Sequence, residues 1–228
     1  MTASAASAVL GPTLDWGRTG YAEALRRQEE LVARRIAGEV GDTLVFTEHD
    51  PVITVGVRKD ASRNLLLPAD ELARRGIAVL PTNRGGDVTY HGPGQVVGYP
   101  LVSLAPRRDR HAYLRFLEQM MIDAVGAFGV AAGRRPGRTG IWLADRKLAA
   151  IGVAVRRWTT SHGFALNVNP DLTPFRTIVP CGIPSAEGTV TSLQLELGRE
   201  VDLTAVKREL AERFWRSLPD FLSGRDGS

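Results

Sequence analysis

Residues 84–95 read RGGDVTYHGPGQ, and the apolar run VVGYP follows at positions 96–100. Four glycines lie on the two sides of a short β-favouring run at positions 88–90. Glycine tolerates positive φ and lets another backbone or a ligand come close. Glycines at both ends of a short strand therefore indicate sharp bends at those ends. The segment is typical of either a glycine-rich hairpin or the wall of a binding site, and the rest of the chain must decide between them.

The composition, 43% hydrophobic and 24% charged over 228 residues, is typical of a soluble globular protein. No apolar run approaches the roughly 20 residues that cross a bilayer, so we expect no membrane association. Residues 1–11 lack the positive start and apolar core of a secretion signal. We therefore expect residues 1–11 and 220–228 to be flexible tails, residues 12–219 to form one domain, and the protein to be cytoplasmic.

The charge and cysteine content exclude several classes of function. The net charge of +4 favours an acidic partner, but the arginines are spread along the chain without a nucleic-acid motif, so we expect no nucleic acid. A single cysteine, Cys181, excludes an internal disulfide and a thiolate metal cluster. His91, His162 and Cys181 lack the close spacing of a zinc site, so no metal is expected. The spacing at positions 84–86 matches neither the P-loop nor the dinucleotide fingerprint.

Hydrophobic spacing predicts three long amphipathic helices, at residues 21–40, 112–128 and 203–218, the last one closed by Pro219. A short helix is expected at 68–75 and a further helical stretch at 189–197. Strands are expected between them, at residues 43–47, 52–57, 77–81, 95–104, 140–143, 147–155 and 163–168. His49, in the turn between the first two strands, is expected to be solvated. Because helices and strands mix without strict alternation, we expect an α+β single domain with a mixed β-sheet flanked by helices.

Cys181 lies in the loop sequence RTIVPCGIP at positions 176–184. A lone cysteine is often a small buried hydrophobe. A core cysteine, however, normally belongs to a helix or strand, and this one sits between prolines in a loop. A reactive thiol needs a nearby cation that favours the thiolate.

Lys147 is a candidate for that cation. Only three of the 29 basic residues are lysines, at positions 59, 147 and 207, and an ammonium can lose its proton where a guanidinium cannot. Lys147 opens the apolar strand at 147–155, where it is either a snorkelling strand-end lysine or a group that stabilises a thiolate and moves protons. His91 and His162 adjoin glycines at strand ends, so a cysteine–histidine pair remains an alternative to a cysteine–lysine pair.

Four stretches, in this order along the chain, resemble the signature of the lipoyl(octanoyl) transferase family: residues 84–95, Lys147 with 150–152, residues 162–167, and residues 180–183. The resemblance covers roughly residues 21–218. Among these positions, Asp87 is one that the family tends to vary. The resemblance implies a fold shared with biotin and lipoate protein ligases.

The resemblance also implies an activity and its partners. Such an enzyme transfers an octanoyl group from octanoyl-acyl carrier protein to a lysine of lipoyl domains, in 2-oxoacid dehydrogenase complexes and the glycine cleavage H protein, without a cofactor. Cys181 would carry the acyl group as a thioester and Lys147 would lower the pKa of that cysteine. The acyl substrate would be lined by Arg84, Gly85, Gly86, Asp87, Val88, Thr89, Tyr90, His91, Ala150, Ile151, Gly152, Gly163, Phe164 and Ala165, with His162 as an auxiliary residue.

The small residues near these strand ends agree physically with a narrow apolar slot. Burying about seven methylenes at about 0.8 kcal/mol each contributes roughly 5–6 kcal/mol before ordering costs. Two other classes of protein remain open at this point. One is an ATP-dependent lipoate or biotin protein ligase on the same fold, and the other is a non-catalytic module that holds an acyl carrier or a lipoyl domain.

Overall fold

A computed structural model describes residues 11–179 and 188–225. The predicted nucleophile, Cys181, lies outside the described residues. Among the residues that are described, no helix is long and apolar enough to cross a membrane.

Five helices and eleven strands make up the described chain. The helices are α1 (Tyr21–Ala37), α2 (Ala69–Arg74), α3 (Arg110–Gly126), α4 (Leu193–Leu197) and α5 (Leu203–Leu222). The strands are β1 (Thr13–Thr19), β2 (Thr43–His49), β3 (Val52–Val55), β4 (Ala78–Pro81), β5 (Val88–His91), β6 (Gln95–Leu101), β7 (Gly133–Arg135), β8 (Arg138–Leu143), β9 (Arg146–Arg156), β10 (Thr159–Asn167) and β11 (Thr189–Val190).

The larger sheet has the strand order β1-β2-β6-β10-β9-β8-β7, and β11 pairs with the start of β9. The β1–β2 and β9–β11 pairs are parallel and the other pairs are antiparallel, which confirms the expected mixed sheet. Helices cover both of its faces. On one face α1 packs against β6 and β10, and on the other α3 packs against α5 and β8.

Side-chain alternation along the central strands supplies both cores. On β6, Val97, Tyr99 and Leu101 are buried with residues of α1, whereas Val96 belongs to the core that α3 and α5 cover. Both faces of the sheet are thus apolar, which explains why β2 and β6 read as nearly continuous hydrophobic runs.

A second, three-stranded sheet with the order β4-β3-β5 carries the glycine-rich segment. The sequence predicts β2 and β3 as neighbouring strands joined by a turn, and the structure places them in different sheets. The tight turn at Asp50 and Pro51 therefore marks the passage of the chain from one sheet to the other. Strand β1 was not predicted, because its side chains are mostly exposed and its apolar alternation is limited to Leu14 and Trp16.

Pro219 does not end the last helix as predicted. Helix α5 continues through it to Leu222, and Phe221 is fully buried in the core. Residues 220–222 therefore belong to the helix rather than to a tail. Proline removes one backbone donor from the helix, but burial of Leu218 and Phe221 on the same face holds the last turn against α3.

We predict that Phe221→Ala lowers the free energy of unfolding by about 3–5 kcal/mol, the usual cost of removing a buried phenylalanine. The Phe221 ring stacks on Phe116 at 4.8 Å and lies under the Arg107 guanidinium at 4.7 Å. Arg225→Ala, at an exposed position, is the control and should change the stability by less than about 0.5 kcal/mol. Urea unfolding measures the free energy of unfolding of both variants. Equal values for the two variants would show that the last turn of α5 does not pack against α3.

Candidate active site

The glycine-rich segment lies directly on strand β9. The backbone N–H of Gly85 donates to the carbonyl of Val153 at 2.9 Å. A Cβ on Gly152 would come within 2.8 Å of the Gly85 carbonyl oxygen and 3.2 Å of the Arg84 side chain. Only glycine at position 152 permits this close approach, which fixes one wall of a narrow slot.

The other wall is the face of the large sheet. In the β9–β10 pairing, Ala150 lies opposite Ala165 and Gly152 lies opposite Gly163. Directly opposed residues, and those two positions apart, share one face of the sheet, so these four small residues form a shallow floor. The space above that floor admits a thin apolar group.

Most of the predicted substrate residues line this slot. They are Arg84, Gly86, Asp87, Val88, Thr89, His91, Ala150, Ile151, Gly152, His162, Gly163, Phe164 and Ala165. Three lining residues that the sequence analysis missed are Tyr21, Val97 and Tyr99. The alternation along β6 places Val97 and Tyr99 on one face and could have found them. The position of Tyr21 depends on the docking of α1 and carried no sequence signal.

Two predicted residues lie elsewhere. Gly85 lines a neighbouring cavity rather than the slot. Tyr90 points into the core of the small sheet, where its ring makes an edge contact with Phe175 at 5.3 Å. This follows from the period of strand β5, in which successive side chains face opposite sides.

Arg84 is buried at one side of the slot, with 7% of its surface exposed. Its guanidinium donates to the hydroxyl and carbonyl oxygens of Thr54 at 2.7–3.1 Å and to the carbonyl of Gly85 at 3.1 Å. These acceptors are neutral oxygens, and the positive charge of Arg84 helps to lower the pKa of the neighbouring His162. The cation also fixes the turn that begins the glycine-rich segment.

Beside Arg84 lies a buried cluster of histidines and tyrosines. His49, expected in solvent, is fully buried, because β2 extends to include it. Its Nδ1 contacts the carbonyl of Thr19 at 2.8 Å, and its Nε2 is in hydrogen-bond contact with the hydroxyl of Tyr99. Since a carbonyl only accepts, Nδ1 is the donor and Nε2 accepts from Tyr99. Burial lowers the pKa of His49, which keeps this ring neutral.

His91 is held by an oriented chain of amides. Its Nδ1 lies 2.7 Å from Oε1 of Gln95, whose Nε2 donates to Oδ1 of Asn167 at 2.9 Å. Asn167 in turn donates to the carbonyl of Thr191 at 2.9 Å. The direction of these bonds makes Nδ1 the donor and leaves Nε2 of His91 as an acceptor. Burial, together with the neighbouring His49, lowers the pKa of His91 to about 3, so the ring is neutral at physiological pH.

His162 adopts the left-handed region, with φ of 55°, although it lies within β10. This conformation is costly for a residue other than glycine and persists where the surroundings over-determine it. Its Nε2 contacts Oδ1 of Asn83, its Nδ1 lies 3.4 Å from the hydroxyl of Tyr21, and its backbone N–H donates to Gln28 at 2.9 Å. Burial, reinforced by the charge of Arg84, lowers the pKa of His162 to about 4.

Lys147 is buried near the opposite end of the slot, at the start of β9. Its ammonium lies 5.2 Å from the centre of the Trp142 ring. It lines two cavities that share residues with the slot: one shares Ala150 and Ala165, and the other shares Ile151 and Gly152. Burial next to such cavities excludes the interpretation of Lys147 as a snorkelling lysine.

The described residues that flank Cys181 in sequence are anchored near Lys147 and the glycine-rich segment. On the N-terminal side, Val179 donates to the carbonyl of Asn64 at 2.8 Å, and the amide of Asn64 donates to both oxygens of Asp87 at 2.8 Å. On the C-terminal side, β11 pairs with the start of β9, and Thr191 donates to the carbonyl of Lys147 at 2.9 Å. Asp87 thus ties the slot wall to the chain leading toward Cys181.

Within the described part of the chain, no group of three or more histidine, cysteine, aspartate or glutamate side chains could hold a metal ion. The three buried histidines bond to carbonyl, amide and hydroxyl groups instead. These hydrogen bonds hold each ring in a fixed orientation.

The same arrangement of sheets and helices occurs in two classes of ligase. A lipoate-protein ligase A, in a crystal structure with bound ATP, superposes with a TM-score of 0.73 and 18% identity, over 92% of this chain and 85% of that one. The biotin protein ligase from Aquifex aeolicus superposes with a TM-score of 0.57 and 11% identity, over 93% of this chain and 71% of that one. The fold is therefore that of the lipoate and biotin protein ligases, as expected.

Comparison with related sequences identifies the family to which the chain belongs. Residues 20–215 match the family described as the lipoyl protein ligase A/B catalytic domain. An octanoyltransferase from Geobacter metallireducens is 52% identical over 201 residues, which cover 88% of this chain and 90% of that protein. The chain belongs to the lipoyl protein ligase A/B catalytic-domain family and, within it, to the octanoyltransferases. It is an acyltransferase.

Gly152→Ala tests the contact between the glycine-rich segment and β9. The added methyl group would lie 2.8 Å from a backbone oxygen, so the segment must shift away from the sheet. We expect the rate of acyl transfer to fall at least about tenfold, because small misplacements in a site are costly. Gly133→Ala, in β7 with open space around the new methyl group, is the matched control and should keep full activity. Equal rates for both variants would contradict the proposed slot wall.

The buried histidines predict a loss of stability in acid. In the unfolded chain these rings bind protons below about pH 6.5, whereas His162 and His91 do so in the folded chain only near pH 4 and pH 3. The unfolded state therefore gains protons first, and the free energy of unfolding falls as the pH drops from about 6.5 toward 4.

His91→Gln should reduce that slope by about 1.4 kcal/mol per pH unit, the effect of one titrating group. Urea unfolding at several pH values measures it. His111→Gln, at an exposed position on α3, is the control and keeps the wild-type slope. A wild-type slope in the His91 variant would show that His91 is charged in the folded protein.

Proposed function

We propose that this protein transfers an octanoyl group from octanoyl-acyl carrier protein to a lysine of lipoyl domains, through a thioester on Cys181. The observation that carries the proposal is the position of Lys147, which is buried beside the narrow slot and next to the anchored flanks of the Cys181 segment. Octanoyltransferase relatives support the acyl group, and the lipoate ligase fold supports a lipoyl domain as acceptor.

The reaction has two balanced steps. The thiolate of Cys181 attacks the carbonyl carbon of the donor thioester; a new carbon–sulfur bond forms, the old one breaks, and the carrier leaves as a thiol after gaining a proton. The amine of the acceptor lysine then attacks the acyl-enzyme; an amide bond forms, a proton leaves the amine, and Cys181 is regenerated. The first step exchanges one thioester for another and the second forms a more stable amide, so ATP is not needed.

Lys147 is suited to both steps. Its ammonium is a compact charge that stabilises a thiolate and can give up a proton to the leaving thiolate of the carrier. The neutral amine formed in that way can then take a proton from the attacking amine of the acceptor lysine. The buried histidines compete poorly for this role. His49, His91 and His162 are bonded to neighbouring groups, and their pKa values are lowered by burial, which makes them weak bases at neutral pH.

The side of the slot next to Lys147 carries positive charge. A cavity of about 280 Å³ adjoins the slot and is lined by Arg58, Arg138 and Lys147, with Asp87 as its one acidic lining residue. Positive charge around an entrance raises the rate at which acidic partners arrive. This fits an acidic carrier protein and acidic lipoyl domains, such as those of 2-oxoacid dehydrogenase complexes and the glycine cleavage H protein. The reaction would take place in the cytoplasm, where these partners work.

Intact-protein mass spectrometry after incubation with octanoyl-acyl carrier protein tests the proposal. We expect one octanoyl adduct on the wild type, removed by neutral hydroxylamine as a thioester is, and none on Cys181→Ala. Lys147→Arg keeps the charge but cannot release the proton, so transfer to a lipoyl domain should fall at least about a hundredfold. Lys207→Arg, at a lysine of α5 that pairs with Asp15 and does not line the slot, is the matched control and should transfer normally.

Full transfer activity in Cys181→Ala would overturn the thioester route. Release of pyrophosphate from ATP and free octanoate, without an adduct, would point instead to a ligase. Binding of the carrier or the lipoyl domain with no turnover of either kind would indicate a binding module.

A further inference from the structure

We propose that Tyr21, Tyr99 and His162 form a rigid end wall of the slot and that this wall limits the acyl chain to about eight carbons. The inference rests on the proposed use of the slot for an acyl chain. It assigns chain-length selection to residues that lie away from Lys147 and that take no part in the bond-making steps.

The position of the wall follows from the strand register. Ala150 and Ala165 form one end of the slot, because they also line one of the two cavities that Lys147 lines. His162 lies opposite Val153 on the same pair of strands. Ala165 and His162 are three residues apart on β10, which at about 3.3 Å per residue is roughly 10 Å. Tyr21 and Tyr99 line the slot at this far end and do not line the cavities next to Lys147.

This distance matches an eight-carbon acyl chain. With carbon–carbon bonds of about 1.5 Å at near-tetrahedral angles, an extended chain advances roughly 1.25 Å per bond. Seven such bonds span roughly 9 Å, and two further methylenes add roughly 2.5 Å. An octanoyl chain therefore fills the slot, whereas a decanoyl chain meets the wall.

The wall resists displacement because its polar groups are bonded to one another. Burial raises the pKa of Tyr21 to about 12, so its hydroxyl stays protonated and donates to Nδ1 of His162. Nε2 of His162 then donates to Asn83, while the hydroxyl of Tyr99 donates to His49. A methylene pushed into this cluster would break buried hydrogen bonds without replacing them, which costs about 1–3 kcal/mol for each group left unpaired.

Ring packing adds to that rigidity. The Tyr21 ring stacks on His91 with centroids 6.0 Å apart and meets the edge of His49 at 5.1 Å. The left-handed backbone of His162 directs its side chain into the cluster, and such strain is characteristic of residues that clamp a ligand. The three rings of the wall therefore pack with those of His49 and His91 into one connected cluster.

Shortening the wall should lengthen the slot. Tyr21→Leu and, independently, Tyr99→Leu remove ring volume from the far end, so transfer of decanoyl and dodecanoyl groups from carrier protein should rise relative to octanoyl by at least about tenfold. Tyr21→Phe keeps the ring and should keep the octanoyl preference. Ile122→Val, on α3 in the core that covers the opposite face of the large sheet, is the control and should leave the chain-length profile unchanged.

Calorimetric binding of free fatty acids with eight, ten and twelve carbons gives a second readout that needs no chemistry at Cys181. Wild type should gain no affinity beyond eight carbons, whereas Tyr21→Leu should gain roughly fourfold for each added methylene. Circular dichroism and thermal unfolding show whether each variant is folded. If Tyr21→Leu does not fold, Tyr99→Leu provides the test.

The two hypotheses fail in different ways. If the wild type transfers octanoyl groups but both leucine variants keep its chain-length profile, the wall does not select length and this inference is wrong, while the acyltransferase proposal stands. A steady gain of wild-type affinity up to twelve carbons overturns the inference as well. If the wild type forms no acyl adduct yet its fatty-acid affinity stops rising at eight carbons, the wall stands and the thioester route falls.

Discussion

The close approach of the glycine-rich segment to strand β9 is the contact on which the site depends. The Gly85 N–H donates to the Val153 carbonyl, and the Gly85 carbonyl lies where any side chain at position 152 would collide. This contact joins two sheets that share no strand pairing. It holds the small sheet over the large one at a spacing that leaves a slot instead of a packed core.

Polar groups around the slot determine its charge and its rigidity. Arg84 brings a positive charge into the slot, and the histidines around it are neutral because burial lowers their pKa values. Their hydrogen bonds run in fixed directions, from His91 through Gln95 and Asn167 to the chain beside Lys147. The histidine and tyrosine rings at the far end are thus neutral and lie beside the Arg84 cation, while the ammonium of Lys147 lies at the other end.

The motifs in the sequence predicted most of the lining residues, since a short strand flanked by glycines and two strands rich in small residues place them on facing surfaces. Tyr90 does not line the slot, because strand alternation turns its side chain toward Phe175. His49 and Tyr21 were missed for another reason. Their roles arise where β2 and α1 dock against other elements, and no local spacing reports such docking.

By itself the sequence determined the class of fold, the single domain, the family and the candidate residues, because periodicity and motifs are local properties of the chain. Tertiary structure alone decided that β2 and β3 belong to different sheets and that α5 continues through Pro219. It also decided that Arg84 and Lys147, which are 63 positions apart in the sequence, lie next to one slot. Those outcomes depend on burial between distant segments. The glycines of the segment predict that another part of the chain comes close to it, but only the tertiary structure shows that this part is β9.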